Sequence, residues 1–384
     1  MKMRKIYVLW MSFALTFPIL AFADTTQSTS QPAATPTAPK SNFKFSGYID
    51  GSYNYLVRSN LFTSGTFDRV YDLEPNGFTL QQAAVTLSNQ PTQGFGGLFN
   101  VILGRDANTT SAYGWNPYFG SQTLAIDPLQ AYLQYAVGAL TVIGGKYVTL
   151  AGDEVVDPTQ DTNFSRSILF GYAEPTTHMG IRGTYAVNDK LNVIAGVNNG
   201  WDSIRDISRR KTIELSTTYT PNSLFSLAAT LLSGGQRATD RTATGSESIR
   251  NLIDIIATLN ATDNLTFIAN YDYANQTLST LPSGNVAEAV WQGLAGYVSY
   301  KFNDKWQTSV RGEIFSDRNG YRTGVIQSWK ELTLSLGYMP IKNLELRAET
   351  RHDFSNVSSF VNSNSIGTNN NQQSYALEAF YKFA

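Results

Sequence analysis

From Phe43 onward, apolar side chains recur at every second position. In 43–57 the odd positions are Phe43, Phe45, Gly47, Ile49, Gly51, Tyr53, Tyr55 and Val57, and the even positions include Lys44, Ser46, Asp50, Ser52 and Asn54. A period of two sends the two sets to opposite faces of a β-strand. The pattern returns at 306–314, where Trp306, Val310 and Ile314 oppose Gln307, Ser309, Arg311 and Glu313. At 344–351, Leu344, Leu346 and Ala348 oppose Glu345, Arg347, Glu349 and Arg351. Sixteen such segments run along the chain: 43–57, 78–89, 95–105, 128–137, 140–148, 178–187, 191–199, 211–219, 224–232, 249–260, 265–273, 293–302, 305–315, 330–338, 344–352 and 373–383. Most approach the ~9–11 residues that a tilted strand needs to cross a bilayer. Periodicity blurs at 78–89 and 140–148, so 14 to 18 strands fit the pattern. In the first of these, Leu80 and Val85 fall on opposite parities, the mark of a bulge.

The connections alternate between short and long. Short ones fall near Pro91–Gly94, Gly138–Ala139, Asn188–Lys190, Thr220–Ser223, Ala261–Asn264, Asn303–Asp304 and Met339–Asn343, rich in the residues that tight turns use. Seven short and eight long connections link sixteen strands and put both strand termini on the short-turn side. In outer-membrane barrels that side is the periplasm. The expected fold is all-β, a transmembrane antiparallel up-and-down β-barrel. A soluble sandwich fits less well. The polar parity carries charges, Asn, Ser and Thr on nearly every strand, too many for a dry core. Aromatics at strand ends (Trp201, Tyr219, Tyr300, Trp306, Tyr338) suit interfacial girdles. The final Tyr381-Lys382-Phe383-Ala384 resembles the signal that such barrels show to the barrel assembly machinery, with one Ala after the Phe. An outward apolar band would meet outer-membrane lipid and lipopolysaccharide.

The chain's opening sets its destination. Lys2, Arg4 and Lys5 precede an apolar stretch from Ile6 to Leu20 and the small-residue site Ala21-Phe22-Ala23. Residues 1–23 read as a signal peptide, cleaved before Asp24. Residues 24–42 are rich in Thr, Ser, Gln, Pro and Ala and read as a disordered periplasmic tail. The barrel would occupy 43–384. After the signal no apolar run is long enough for a spanning helix.

Composition narrows the function. Only 15% of residues are charged, against about 25% in ordinary soluble domains. The net charge of −1 argues against a nucleic-acid partner. There is no cysteine, so thiolate chemistry and disulfides are excluded. The only histidines, His178 and His352, read as lone surface residues, and nothing implies a metal or cofactor.

Two stretches carry a family likeness. FSGYIDGSYNY, from Phe45 to Tyr55, and FSRSILFGYAEPTTHMGIRGTY, from Phe164 to Tyr185, resemble the opening strand and the central signature of the putative β-barrel porin-2 family, the outer-membrane-protein-L-like porins. The resemblance runs from Phe43 to the C-terminus and implies a pore for passive diffusion of small hydrophilic solutes or ions. In sixteen-stranded general porins the loop after the fifth strand folds inward, which by resemblance makes 149–177 the constriction candidate. It carries Asp153, Glu154, Asp157, Asp161 and Glu174 against the single Arg166. Arg182, Arg311, Arg347 and Arg351, with Lys146, fall on polar faces of the wall. An acidic loop opposite basic wall residues would set a field across the passage. The bland reading is that the loop charges are solvated and the wall charges pair with each other. Few exposed lumen aromatics stand out as a sugar slide, which leans toward a general pore. A structural or adhesive barrel with binding loops, and an outer-membrane hydrolase, are the rival functions. Monomer and homo-oligomer both stay open.

Overall fold

The computed structural model describes residues 43–57, 69–116, 125–206, 208–237, 247–362 and 365–383. The signal-peptide and tail readings of 1–42, and Ala384, lie outside them. The strands are β1 (Lys44–Leu56), β2 (Gly77–Asn89), β3 (Gly94–Gly104), β4 (Ala125–Val137), β5 (Leu140–Val148), β6 (Thr177–Asn188), β7 (Leu191–Asn198), β8 (Thr212–Tyr219), β9 (Phe225–Arg237), β10 (Glu247–Thr262), β11 (Leu265–Thr280), β12 (Val286–Lys301), β13 (Trp306–Asp317), β14 (Gln327–Ile341), β15 (Leu344–Ser355), β16 (Phe360–Asn362), β17 (Ser365–Asn369) and β18 (Asn371–Phe383). Two short helices, α1 (Arg105–Thr110) and α2 (Ile168–Tyr172), sit in connections. Sixteen strands form a closed barrel in which each pairs antiparallel with its sequence neighbour. β16 and β17 form a separate hairpin before β18. The barrel closes where β1 meets β18, in register from Gly47–Phe383 to Leu56–Ser374.

The two faces are inverted relative to a soluble protein. On β14, Leu332, Leu334 and Leu336 are 55%, 48% and 43% exposed, while Glu331, Thr333 and Ser335 between them are at most 3% exposed. Lipid must cover the outer set, and the polar set faces the lumen. No helix among the described residues is long and apolar enough to cross a membrane, so the strands do the crossing. Closure gives every backbone group at membrane depth a partner.

The seven short turns fall where the parity argument puts them, and of the eight connections on the opposite side all but the one between β11 and β12 are longer than any of those turns. The irregularity in β2 is a bulge. Asp50 pairs with Gln82 and Gly51 with Leu80, so Gln81 is the extra residue, and Gln81 and Gln82 both turn inward. The blurred β5 has Gly145 at φ 141, followed by the consecutively buried Lys146 and Tyr147.

Two expectations need correction. β9, β11 and β12 run past their expected ends, leaving only Leu281–Asn285 between β11 and β12. There the ladder continues through polar outward rungs, and Asn275 donates to Glu288 across the strands at 2.6 Å. Hydrogen bonding persists where the apolar signal fades. Tyr219, Tyr300, Trp306 and Tyr338 sit at the short-turn rim, with Trp306 stacked on Tyr338 at 4.4 Å. Trp201 does not join a girdle. It is 4% exposed and packs edge-on to Trp291 inside the barrel. It follows the end of β7, where strand parity no longer fixes direction.

The closing seam rests on Gly47. A Cβ there would overlap the carbonyl oxygen of Ala84 and come within 2.6 Å of the Phe383 ring. Gly47→Val should therefore destabilise the barrel by about 1–3 kcal/mol through overpacking. Urea titration of the folded gel band measures it; an unchanged midpoint would contradict this seam packing.

Candidate pore constriction

The connection 149–176, here called the strap, enters the barrel and crosses it. Its apolar side chains reach opposite walls. Leu169 packs with Trp291, Ala295 and Phe315 on β12 and β13. Phe170 and Val156 pack with Tyr48, Ala84 and Ile102 on β1 to β3. Gly293 makes room, because a Cβ there would overlap the Leu169 side chain. Trp291 donates its ring N–H to the Ala173 carbonyl at 3.0 Å. These inward aromatics, with Trp201 and Trp329, are buried in packing and offer no exposed ring face for a sugar slide. They sit on the polar parity or beyond strand ends, so alternation gave no sign of them.

Most of the strap lacks regular structure, so its buried backbone groups need partners elsewhere. Wall carboxylates and guanidiniums supply them. Glu349 accepts the N–H groups of Phe164 at 2.8 Å and Ser165 at 3.1 Å. Glu313 accepts those of Ile168 at 2.6 Å and Leu169 at 3.1 Å, at the start of α2, while Ser167 caps the helix by accepting from Phe170. Arg311 donates to the Ser165 carbonyl at 2.6 Å. Arg347 donates to the carbonyls of Asp161 at 2.5 Å and Pro158 at 3.1 Å, and Arg351 to that of Arg166 at 2.6 Å. Asn163 donates to Ser335 at 2.7 Å.

Six of the singled-out residues meet here: Glu154, Asp161, Arg166, Arg311, Arg347 and Arg351. Glu154 pairs with Arg311 at 2.6 Å, and Asp161 with Arg166 at 3.1 Å. The wall arginines also hold carboxylates of their own wall: Arg311–Glu331 at 2.7 Å, Arg347–Glu345 at 2.9 Å and Arg351–Asp353 at 2.7 Å. Arg182 and Lys146 lie elsewhere. Arg182 pairs with Glu214 at 2.6 Å above the Tyr147 ring, and Lys146 with Asp127 at 2.7 Å. Arg182 still touches the strap's root through the Val148 carbonyl at 3.1 Å. Asp157 caps a turn, accepting from Thr159 and Gln160. Asp153 and Glu174 form no ion pair among the described residues, and burial pushes both carboxyls up, Asp153 to about 7.

Glu313, Glu331, Glu349 and Asp353 belong to the site but were not singled out. Their signal was present, since they share the polar parity with Arg311 and Arg351. The alternation cannot say which of them a loop will touch. His178 corrects a reading: it is 1% exposed, with Nδ1 3.1 Å from the Gly200 carbonyl, because the loop after β7 folds over it. His352 is half-buried on the outer face, 2.7 Å from Gln373.

Among solved structures, the outer membrane channel DcaP of Acinetobacter baumannii is similar at 12% identity, covering 89% of this chain and 97% of that one, with a TM-score of 0.59. OmpT of Vibrio cholerae, in a trimer form, matches at 13% identity over 89% and 99%, TM-score 0.58. The anion-selective porin from Comamonas acidovorans matches at 11% over 89% and 99%, TM-score 0.58. At these identities the likeness shows the fold alone. No curated protein matches the chain. The profile of the putative beta-barrel porin-2, OmpL-like family matches residues 42–383, nearly the whole barrel. The chain belongs to that family, and is an integral β-barrel porin of the outer membrane.

Proposed function

We propose that the chain passes small hydrophilic solutes and ions by passive diffusion, and that the strap sets the width and charge of the passage. The observation that carries this reading is the strap's attachment to both walls, through Arg311, Glu313 and Glu349 on β13 and β15 and through Gln82 on β2, which donates to the Val156 carbonyl at 2.8 Å. A loop held this way inside a sixteen-stranded barrel narrows a lumen that would otherwise be wide. Fixed charges at the narrowing then sort solutes. In the same reading, cleavage after Ala23 delivers the chain to the periplasm, 24–42 remains as a tail, the final strand is read by the assembly machinery, and the apolar band meets lipid and lipopolysaccharide. The trimer form of OmpT makes a homo-oligomer the arrangement to test by size.

Purified protein added to a planar bilayer should give discrete, repeatable conductance steps. Arg311→Gln leaves Glu154 and Glu331 without their shared partner, a loss of about 3–5 kcal/mol for a buried pair. The strap should loosen, and single-channel conductance should rise or flicker. Conductance identical to wild type would contradict the constriction role.

A pH dependence follows from Asp153. Burial first, then the negative charges of Glu154 and Asp254, raise its carboxyl to about 7. A raised acid favours the folded state while protonated, and that contribution is lost as pH rises from the usual carboxylate range through 7. The strap should therefore be held more firmly at pH 5 than at pH 8, with lower conductance at pH 5. Equal conductance at both would contradict it.

A further inference from the structure

Three lysines gather at the short-turn rim where β13, β14, β15 and β18 end. Lys305, Lys342 and Lys382 line one cavity of about 460 Å³ together with Asp304 and Glu345. The rest of its wall is largely apolar, made by Met339, Pro340, Ile341, Leu344 and Phe380. Backbone bonds fix this shape. Met339 donates its N–H to the Lys305 carbonyl at 2.8 Å, which ties the end of β14 to the turn before β13. Lys382 donates its N–H to the Asn343 carbonyl at 2.9 Å, which ties the turn before β15 to β18.

The lining side chains of β15 and β18 belong to the lumen face. Glu345 shares strand parity with Arg347, and Phe380 and Lys382 share it with Glu378. Phe380 is 1% exposed, and the Lys382 ammonium lies 5.8 Å from its ring centre. A second cavity, of about 230 Å³, reaches from Thr162 on the strap to Asp263 and Lys301 at the same rim. Gln307 lines this second cavity and donates at 2.8 Å to Glu345, which lines the first. The lysine-lined cavity therefore lies beside the way from the strap to the periplasm.

Its charges do not cancel. Glu345 is already held by Arg347 at 2.9 Å. Lys305, Lys342 and Lys382 are exposed and form no ion pair among the described residues. Three ammonium groups thus face the single uncommitted carboxylate of Asp304. Elsewhere the short-turn half of the lumen wall is uncharged from β2 to β11, at residues such as Thr86, Gln134, Thr184, Ser216, Thr258 and Thr266. The lysines give one side of this mouth a positive field. A concave, mostly apolar cavity of this size with a few convergent charges has the form of a small-ligand site.

Resting on the pore reading, we propose that this cavity is a binding station for small organic anions with an apolar body, such as alkyl or aryl carboxylates, on their way to the periplasm. The anionic head would sit among Lys305, Lys342 and Lys382, with the body against Met339, Pro340 and Ile341. Exposed lysines hold an anion weakly. Weak holding also lets the solute leave, as conduction requires.

The test is block of KCl current through single channels in a bilayer of neutral lipid. Hexanoate should interrupt the current, more strongly at low salt than at high. Acetate, with the same charge and no comparable body, and hexylammonium, with the body and the opposite charge, should not do so at equal concentration. In Lys342→Gln/Lys382→Gln the blocking affinity should fall about threefold to tenfold. Lys190→Gln, on the turn between β6 and β7, should leave it unchanged. All these side chains are exposed, so the variants should fold. Equal block by acetate and hexanoate would overturn the proposal, and so would an unchanged affinity in the double variant. Loss of block once anionic lipid enters the bilayer would overturn it too, since a lipid headgroup would then hold the cavity. Wild type that never conducts would contradict the porin reading itself. Hexanoate binding to the folded barrel is then read by saturation-transfer NMR, and equal signals from wild type and double variant would overturn the site.

Discussion

The structure depends on satisfying an irregular backbone inside a barrel. Strands 44–56 through 371–383 satisfy their own polar groups by closing on one another, but the strap crossing between them cannot. Its N–H groups and carbonyls find charged side chains instead. Glu313 and Glu349 accept at four successive or nearby N–H groups, and Arg311, Arg347 and Arg351 donate to strap carbonyls. Charged partners make shorter and stronger bonds than neutral ones. The arginines are also tolerated here because each is matched by a carboxylate of the wall. The lumen's charge is thus spent first on holding a loop in place.

That use of charge divides the interior. On β13 to β15, Arg311, Arg347 and Arg351 stand among the inward carboxylates, and each holds one of them in an ion pair. On β10 and β11 the inward carboxylates Asp254 and Asp272 face carboxylates of the strap. A protein of net charge −1 can carry a strongly charged passage when the balancing cations are placed elsewhere.

The strands were legible because lipid on one side and polar contents on the other impose a two-residue period. Even the bulge at Gln81 showed as a parity change between Leu80 and Val85. What the period could not show was where pairing stops. β11 runs to Thr280 because backbone bonds continue after the apolar signal ends at the membrane surface. Trp201 was misplaced for the same reason, lying one turn past a strand end. The strap's position came only from resemblance. Its partners were hidden because polar parity marks Arg311, Glu313 and Glu349 as inward but does not say what they meet. The like-charge pair Asp254–Asp272 needed the register of two strands.

The central claim is that the strap lies against the inner wall at a fixed place. Thr162 and Ser309 place their hydroxyl oxygens 3.0 Å apart, one on the strap and one on β13. Side chains in such contact can bring two cysteine sulfurs within bonding reach if the strap lies where described, and the chain has no cysteine to compete. Thr162→Cys/Ser309→Cys, assembled in the membrane and mildly oxidised, should yield a peptide pair joined by a disulfide in the folded barrel. Two free thiols under the same conditions, in protein that is folded, would contradict the account.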